Sequence, residues 1–158
     1  MAESKEFYTA RGYEIAALNE KALSPSMEDY IEMIYRLSID RGYVRVNDLA
    51  NKLNVQPPSV TKMVGKLKQR GLLKYEKYGL IHLTAEGSSL ATYLLERHNT
   101  VKAFLVLIEA TDQLQKNVEM LEHYISFKTY RGISALLEFM KDNPMILEKF
   151  YKYLEEIK

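Results

Sequence analysis

Two consecutive prolines, Pro57 and Pro58, constrain this chain more tightly than any other pair of residues. A proline fits the first turn of a helix, where its missing N–H costs no hydrogen bond, and disrupts a helix almost anywhere deeper. The pair therefore marks a helix start, and Gly71 marks the stop. Between them Val60, Met63, Val64 and Leu67 recur at i, i+3, i+4 and i+7 as one apolar stripe, with Ser59, Thr61, Lys62, Lys66 and Gln69 on the opposite side. Upstream, Asn54-Val55-Gln56 is a tight turn after a helix over Val46–Leu53. Downstream, Leu72–Glu76 and Leu80–Leu83 read as two short strands around Lys77-Tyr78-Gly79, with a glycine where the hairpin needs one. An earlier helix starts at Ser24-Pro25-Ser26 and repeats through Met27, Tyr30, Ile31, Ile34 and Leu37 to about Ile39. Gly42 ends it, and Val44 and Val46 give a short extended link. Helix, helix, turn, helix and hairpin in this order make a winged helix-turn-helix, because order, lengths and turn chemistry agree.

Charge is distributed to match. The whole chain of 158 residues carries a net charge of only +1. From Gln56 to Tyr78, however, Lys62, Lys66, Lys68, Arg70, Lys74 and Lys77 face a single acid, Glu76, a local balance of +5 that leaves −4 for the remainder. A basic stretch is by itself an ordinary solvated face; on the polar side of this helix and hairpin it is also the footprint of a nucleic-acid reader. Cysteine is absent, which excludes disulfides and thiolate metal sites. Lys5, Glu6, Arg11, Glu14 and Glu20 interrupt every apolar stretch near the N-terminus, so neither a signal peptide nor a membrane span is expected there and the chain reads as cytoplasmic.

Beyond Thr84, a candidate N-cap, the pattern is helical to the end. One long helix runs to about Ala110, with Leu90, Leu94, Val101, Leu105 and Ile108 inward; others span roughly Asp112–Phe127 and Tyr130–Lys141, and Asn143-Pro144 opens the last. The expected architecture is mainly α: a polar extension over 1–24 with a possible helix around Ala10–Leu23, a winged helix-turn-helix with a two-stranded wing over 25–84, and an all-helical domain over 85–158.

Acids and histidines then collect on either side of the reader. Asp29 and Glu32, spaced i, i+3, leave the same side of the first helix, away from its apolar stripe. Alone, such a pair is a solvated surface. His98 lies one turn from Leu94 and nearly one from Val101, a position that more often holds a hydrogen-bonded core histidine than a ligand. Glu119, Glu122 and His123 are sharper. With Leu114, Val118, Leu121 and Ile125 as the apolar stripe of their helix, Glu122 falls at its edge and the other two fan out beside it. Two carboxylates and an imidazole at i, i+3, i+4 can converge on one ion, or form a charged helix flank.

Ser24–Leu37, Val46–Lys68, Tyr75–Tyr78, Arg97-His98 and Val118–Ser126 resemble the manganese-responsive branch of the diphtheria toxin repressor (iron-dependent repressor) family, the manganese transport regulators. The resemblance covers roughly Ser24 to Asn143. It implies a metal site made of Asp29, Glu32, His98, Glu119, Glu122 and His123. The iron-responsive branch places a methionine and a cysteine among its ligands; here Asp29 and Glu122 stand at those positions. What the resemblance implies is a Mn²⁺-activated transcriptional repressor of metal-uptake genes, a homodimer on double-stranded operator DNA, with helices 85–158 binding metal and dimerising. It implies no catalysis, no small-molecule substrate and no membrane. Four carboxylates among the ligands suit a binuclear Mn²⁺ site in each subunit, with Fe²⁺, Cd²⁺ or Zn²⁺ as possible substitutes, since Mn²⁺ sits low in the Irving–Williams order. In the reader, Gln56, Pro58, Ser59, Thr61 and Lys62 are placed to meet bases and phosphates. Lys66 and Lys68, with Lys77 and Tyr78 in the wing, are placed to position the DNA backbone. The competing readings are a repressor of the same family answering to iron or another divalent metal, a binuclear-metal enzyme, and a winged helix that binds protein instead of DNA.

Overall fold

The computed structural model describes residues 23–157, so the helix expected around Ala10–Leu23 lies, except for its last residue, outside the described residues. Ser24 starts the first helix, α1 (Pro25–Ser38): its Oγ accepts from the Met27 N–H at 3.3 Å, and its carbonyl accepts from Met27 and Glu28. The inward face of α1 buries Met27, Tyr30, Ile31 and Ile34. Helix α2 (Val46–Leu53) ends on Asn54 at φ 52°, a left-handed position that asparagine tolerates better than most residues, and the next N–H, on Val55, returns to the Ala50 carbonyl. Helix α3 (Pro57–Gln69) opens on its two prolines and closes at Gly71, φ 77°. Its stripe of Val60, Val64 and Leu67 is fully buried, while Thr61, Lys62, Lys66 and Gln69 are exposed.

The wing departs from expectation in two ways. First, the link at Val44 is a strand, β1 (Val44–Arg45). It pairs antiparallel with β3 (Leu80–Leu83), which also pairs with β2 (Leu73–Tyr75), giving a three-stranded sheet in the order β1-β3-β2. Val44 sits opposite Ile81, and both are buried, so an apolar cross-strand pair holds the added strand. Second, the turn Lys77–Gly79 takes positive φ at two residues, Tyr78 (68°) as well as Gly79 (74°).

Thr84 caps the long helix α4 (Ala85–Leu107): its Oγ1 accepts from the Gly87 N–H at 3.0 Å and donates to the Gly71 carbonyl at 2.8 Å. Gly87 is required by close approach, since a Cβ there would lie 2.1 Å from the Leu72 carbonyl oxygen. Contacts divide the chain into one unit through Glu96 and another from Arg97, the boundary falling inside α4. In the first unit Ile31, Ile34, Leu49, Val60, Val64, Leu67 and Ile81 form the fully buried interior.

In the second unit Val101, Leu105 and Val118 form the core, with Phe104, Ile108, Leu114 and Ile125 packed on it. Helix α4 stops at Leu107, where Glu109 takes φ 57° and the Ala110 N–H returns to Leu105. Helix α5 (Leu114–Glu122) ends well before the expected Phe127. The reason is Ser126, whose Oγ accepts from the Thr129 N–H at 3.1 Å and starts α6 (Phe127–Asp142) three residues earlier than expected. Helix α7 (Pro144–Glu156) completes the chain. Neither α6 nor α7 fully buries a residue in the single chain, and Phe139, Met145, Ile146 and Tyr153 are exposed. Among the described residues no helix is long and apolar enough to cross a membrane.

Candidate metal centre and DNA-binding face

His98 stands on α4 and Glu122 on α5, 24 residues apart in the chain, and the second unit brings them into contact. Both are buried, at 8% and 4% exposure, and His98 Nδ1 lies 2.6 Å from Glu122 Oε2. A carboxylate oxygen can accept there from Nδ1–H, which gives a partner to two groups otherwise costly to bury. On the other carboxylate oxygen, His123 Nε2 approaches Oε1 to 3.8 Å, so one buried carboxylate sits between two imidazoles. His123 holds this place because it is the C-cap of α5, immediately after the last helical residue.

This corrects the expected phase of α5. Leu121, placed on the apolar stripe, is 42% exposed, whereas Glu122, expected at its edge, is buried. The inward row is Leu114, Val118 and Glu122 at i, i+4 steps, and it carries the carboxylate inward with the core. Glu119, one turn earlier, is exposed, and its Oε1 accepts from Gln115 Nε2 at 3.1 Å.

In the first unit Asp29 is exposed and Glu32 half-buried, one turn apart on α1. Glu32 is also held in a way the sequence reading did not single out: Arg36 donates to its Oε1 twice, from Nη2 at 2.6 Å and from Nε at 3.0 Å. The i, i+4 spacing of acid before base was the available signal. Burial raises the Tyr30 phenol above its ordinary range. The remaining histidine, His82, serves the fold, with its Nδ1 3.1 Å from the Gly42 carbonyl, which can only accept.

The residues expected to read DNA all lie in the first unit. Gln56 is the N-cap of α3, and its side chain makes no cap bond and is exposed. Pro58, Ser59, Thr61, Lys62, Lys66 and Lys68 are exposed along the same helix, Thr61 donating its hydroxyl to the Pro57 carbonyl at 3.2 Å. Tyr78 is 96% exposed in the wing turn that Lys77 begins. A helix with one buried apolar row and one exposed row of hydroxyls and lysines, next to an exposed aromatic wing, is built to lie against a polyanion.

Comparison with known proteins agrees. Residues 22–81 match the iron dependent repressor N-terminal DNA binding domain, and residues 84–151 match the iron dependent repressor metal binding and dimerisation domain. The HTH-type transcriptional regulator MntR of Lysinibacillus sphaericus (strain C3-41) is 43% identical over 127 residues, 80% of this chain and 91% of that one. The chain belongs to the iron-dependent repressor family. Among solved structures it is similar to ScaR with bound Zn²⁺ (TM-score 0.62, 30% identity, 72% of this chain and 54% of that one). It is also similar to the manganese regulator SloR (TM-score 0.64, 28% identity, 74% and 55%). This chain spans about half the length of those two solved chains. As an iron-dependent repressor it is a metal-responsive, DNA-binding transcriptional regulator and not an enzyme, so the catalytic and DNA-free readings of its sequence fall away. Its two matched domains are those that bind DNA and that bind metal and dimerise in this family.

Proposed function

We propose that this repressor is switched on by Mn²⁺ and silences metal-uptake genes in the cytoplasm, holding a binuclear site made of Asp29, Glu32, His98, Glu119, Glu122 and His123. The observation that carries the reading is the buried His98–Glu122 contact with His123 beside it, a nitrogen and oxygen donor set in a chain without cysteine. Hard carboxylates and imidazoles suit Mn²⁺, whereas thiolates would favour softer ions. The donors also fit an ion in spacing. Two ligands at right angles on a divalent cation, each about 2.0–2.2 Å away, stand about 3 Å apart. His98 Nδ1 and Glu122 Oε2 are already at 2.6 Å, so a cation can take the place of the proton they share with little rearrangement. Relatives named MntR and the structural neighbour described as a manganese regulator support the choice of metal.

When bound, the metal supplies positive charge at ligands drawn from both sides of the reader. Asp29 and Glu32 precede α3 in the chain; His98, Glu119, Glu122 and His123 follow it. An ion that needs ligands from both sets restrains the segments around the reader and favours the spacing of two recognition helices that a pseudo-palindromic operator demands. The exposed apolar residues of α6 and α7 would be covered in the homodimer. Linkage makes the effect reciprocal: Mn²⁺ should tighten operator binding by about 1–3 kcal/mol, and operator should tighten Mn²⁺ binding equally. Fluorescence anisotropy with an operator fragment at fixed salt, in Mn²⁺ and in EDTA, tests this, and equal affinities would overturn it. Parallel titrations with Fe²⁺ and Zn²⁺ test the choice of metal.

A further inference from the structure

Arg36 stands one turn after Glu32 on α1 and donates to its carboxylate. We propose that it sets the metal threshold, acting as a resident cation that an incoming metal must displace or share, an inference that rests on Glu32 being a ligand. Three features of the geometry lead there. Both Arg36 hydrogen bonds, 2.6 and 3.0 Å, fall on the same oxygen, Glu32 Oε1, and among the described residues Oε2 accepts none. A fork spread over both oxygens would close the carboxylate, but this one leaves an oxygen open. The Glu32 side chain is only 17% exposed, so its charge is poorly solvated and needs a counter-charge when no metal is present. Arg36 is 44% exposed on its side chain and can retire into solvent without burying its charge.

Guanidinium remains charged at every physiological pH, so Arg36 cannot leave by losing a proton. Metal arriving at Glu32 therefore meets a fixed positive charge on the next turn of α1. If Arg36 stays on Oε1, the two cations repel across one carboxylate; if it leaves, the ion pair is lost. Either way the cost enters the metal dissociation constant. Four carboxylates and two divalent ions would otherwise be neutral together, and Arg36 makes that assembly positive by one. A sensor profits from this, because its affinity must match the free metal level at which uptake should stop and must not be the highest attainable.

The alternative, that Arg36 orients Glu32 for the metal, predicts the opposite sign. Calorimetric Mn²⁺ titration of the full-length dimer, with circular dichroism in EDTA as the control for fold, separates the two. Arg36→Gln should bind Mn²⁺ about ten-fold more tightly than wild type, from one unit charge removed within a few ångströms of the site. Arg36→Lys, which keeps the charge without the fork, should stay within about two-fold of wild type, and rising salt should narrow the gap between wild type and Arg36→Gln as screening replaces the missing repulsion. Weaker binding in both Arg36 variants, or equal affinity in wild type and Arg36→Gln, overturns the threshold role. Glu32→Gln is the control for the premise: wild-type affinity in that variant would show that Glu32 is no ligand, a failure of the site assignment distinct from failure of the Arg36 role.

Discussion

Glu122 can be made to report its two roles separately. Its carboxylate is buried and lies 2.6 Å from His98 Nδ1, a contact that serves the fold. In the metal-bound protein it is a proposed ligand. Glu122→Gln keeps the length, and its amide oxygen can still accept from Nδ1–H. It loses the charge assistance but no longer buries a carboxylate, so metal-free stability should move by no more than about 1 kcal/mol. Glu122→Ala removes this acceptor from His98 and vacates buried space, which together cost about 1–3 kcal/mol. For a chain of this size each kcal/mol is about 2–4 °C in Tm, so the alanine variant should melt several degrees lower in EDTA and the glutamine variant close to wild type. Mn²⁺ then discriminates. At a hundred times its dissociation constant a ligand stabilises the state it binds by about 2.7 kcal/mol, so wild type should gain several degrees. Neither variant should, and neither should show Mn²⁺-dependent operator binding. The assay is a set of thermal melts by circular dichroism in EDTA and in Mn²⁺, at one fixed protein concentration because dimerisation links stability to concentration. A Mn²⁺-dependent rise in Glu122→Gln equal to that of wild type would refute the assignment of this carboxylate to the metal.

Two further outcomes concern the reading face. Lys66→Ala should weaken binding to operator and to random DNA alike and reduce the slope of log affinity against log salt by about one, whereas Ser59→Ala or Gln56→Ala should lower the preference for operator; salt-dependent anisotropy on both DNAs checks this, and a Lys66→Ala effect confined to discrimination would mean that α3 docks otherwise. Tyr78 holds φ 68° at the wing tip, a conformation that costs a residue with a Cβ about 1–2 kcal/mol, while glycine there costs about 0.5–1 kcal/mol in chain entropy. Tyr78→Gly should therefore leave Tm unchanged or slightly raised while operator affinity falls, and retained affinity would remove the wing from the interface.

How far the sequence alone reaches can be seen helix by helix. The starts of α1 and α3, the stop at Gly71 and the cap at Thr84 were legible because each depends on atoms within a few residues: a serine or threonine oxygen, a missing proline N–H, a glycine free to adopt φ 77°. The set of acids and histidines was legible as residue types, and the family resemblance supplied their grouping. Other features had no local signal strong enough to read. Strand β1 is two residues long and exists because Val44 meets Ile81, 37 positions away. Helix α5 is nine residues long, too short for its own pattern to set its phase, so packing against Val101 and Leu105 decided that Glu122 faces inward and Leu121 outward. The spacing of His98 favours a hydrogen-bonded core histidine over a ligand, and its partner Glu122 stands 24 residues along the chain, beyond the reach of any local pattern. Caps and turns are settled by energies that one turn of backbone can supply, whereas burial of a carboxylate against an imidazole is affordable only where two helices have already excluded water from both.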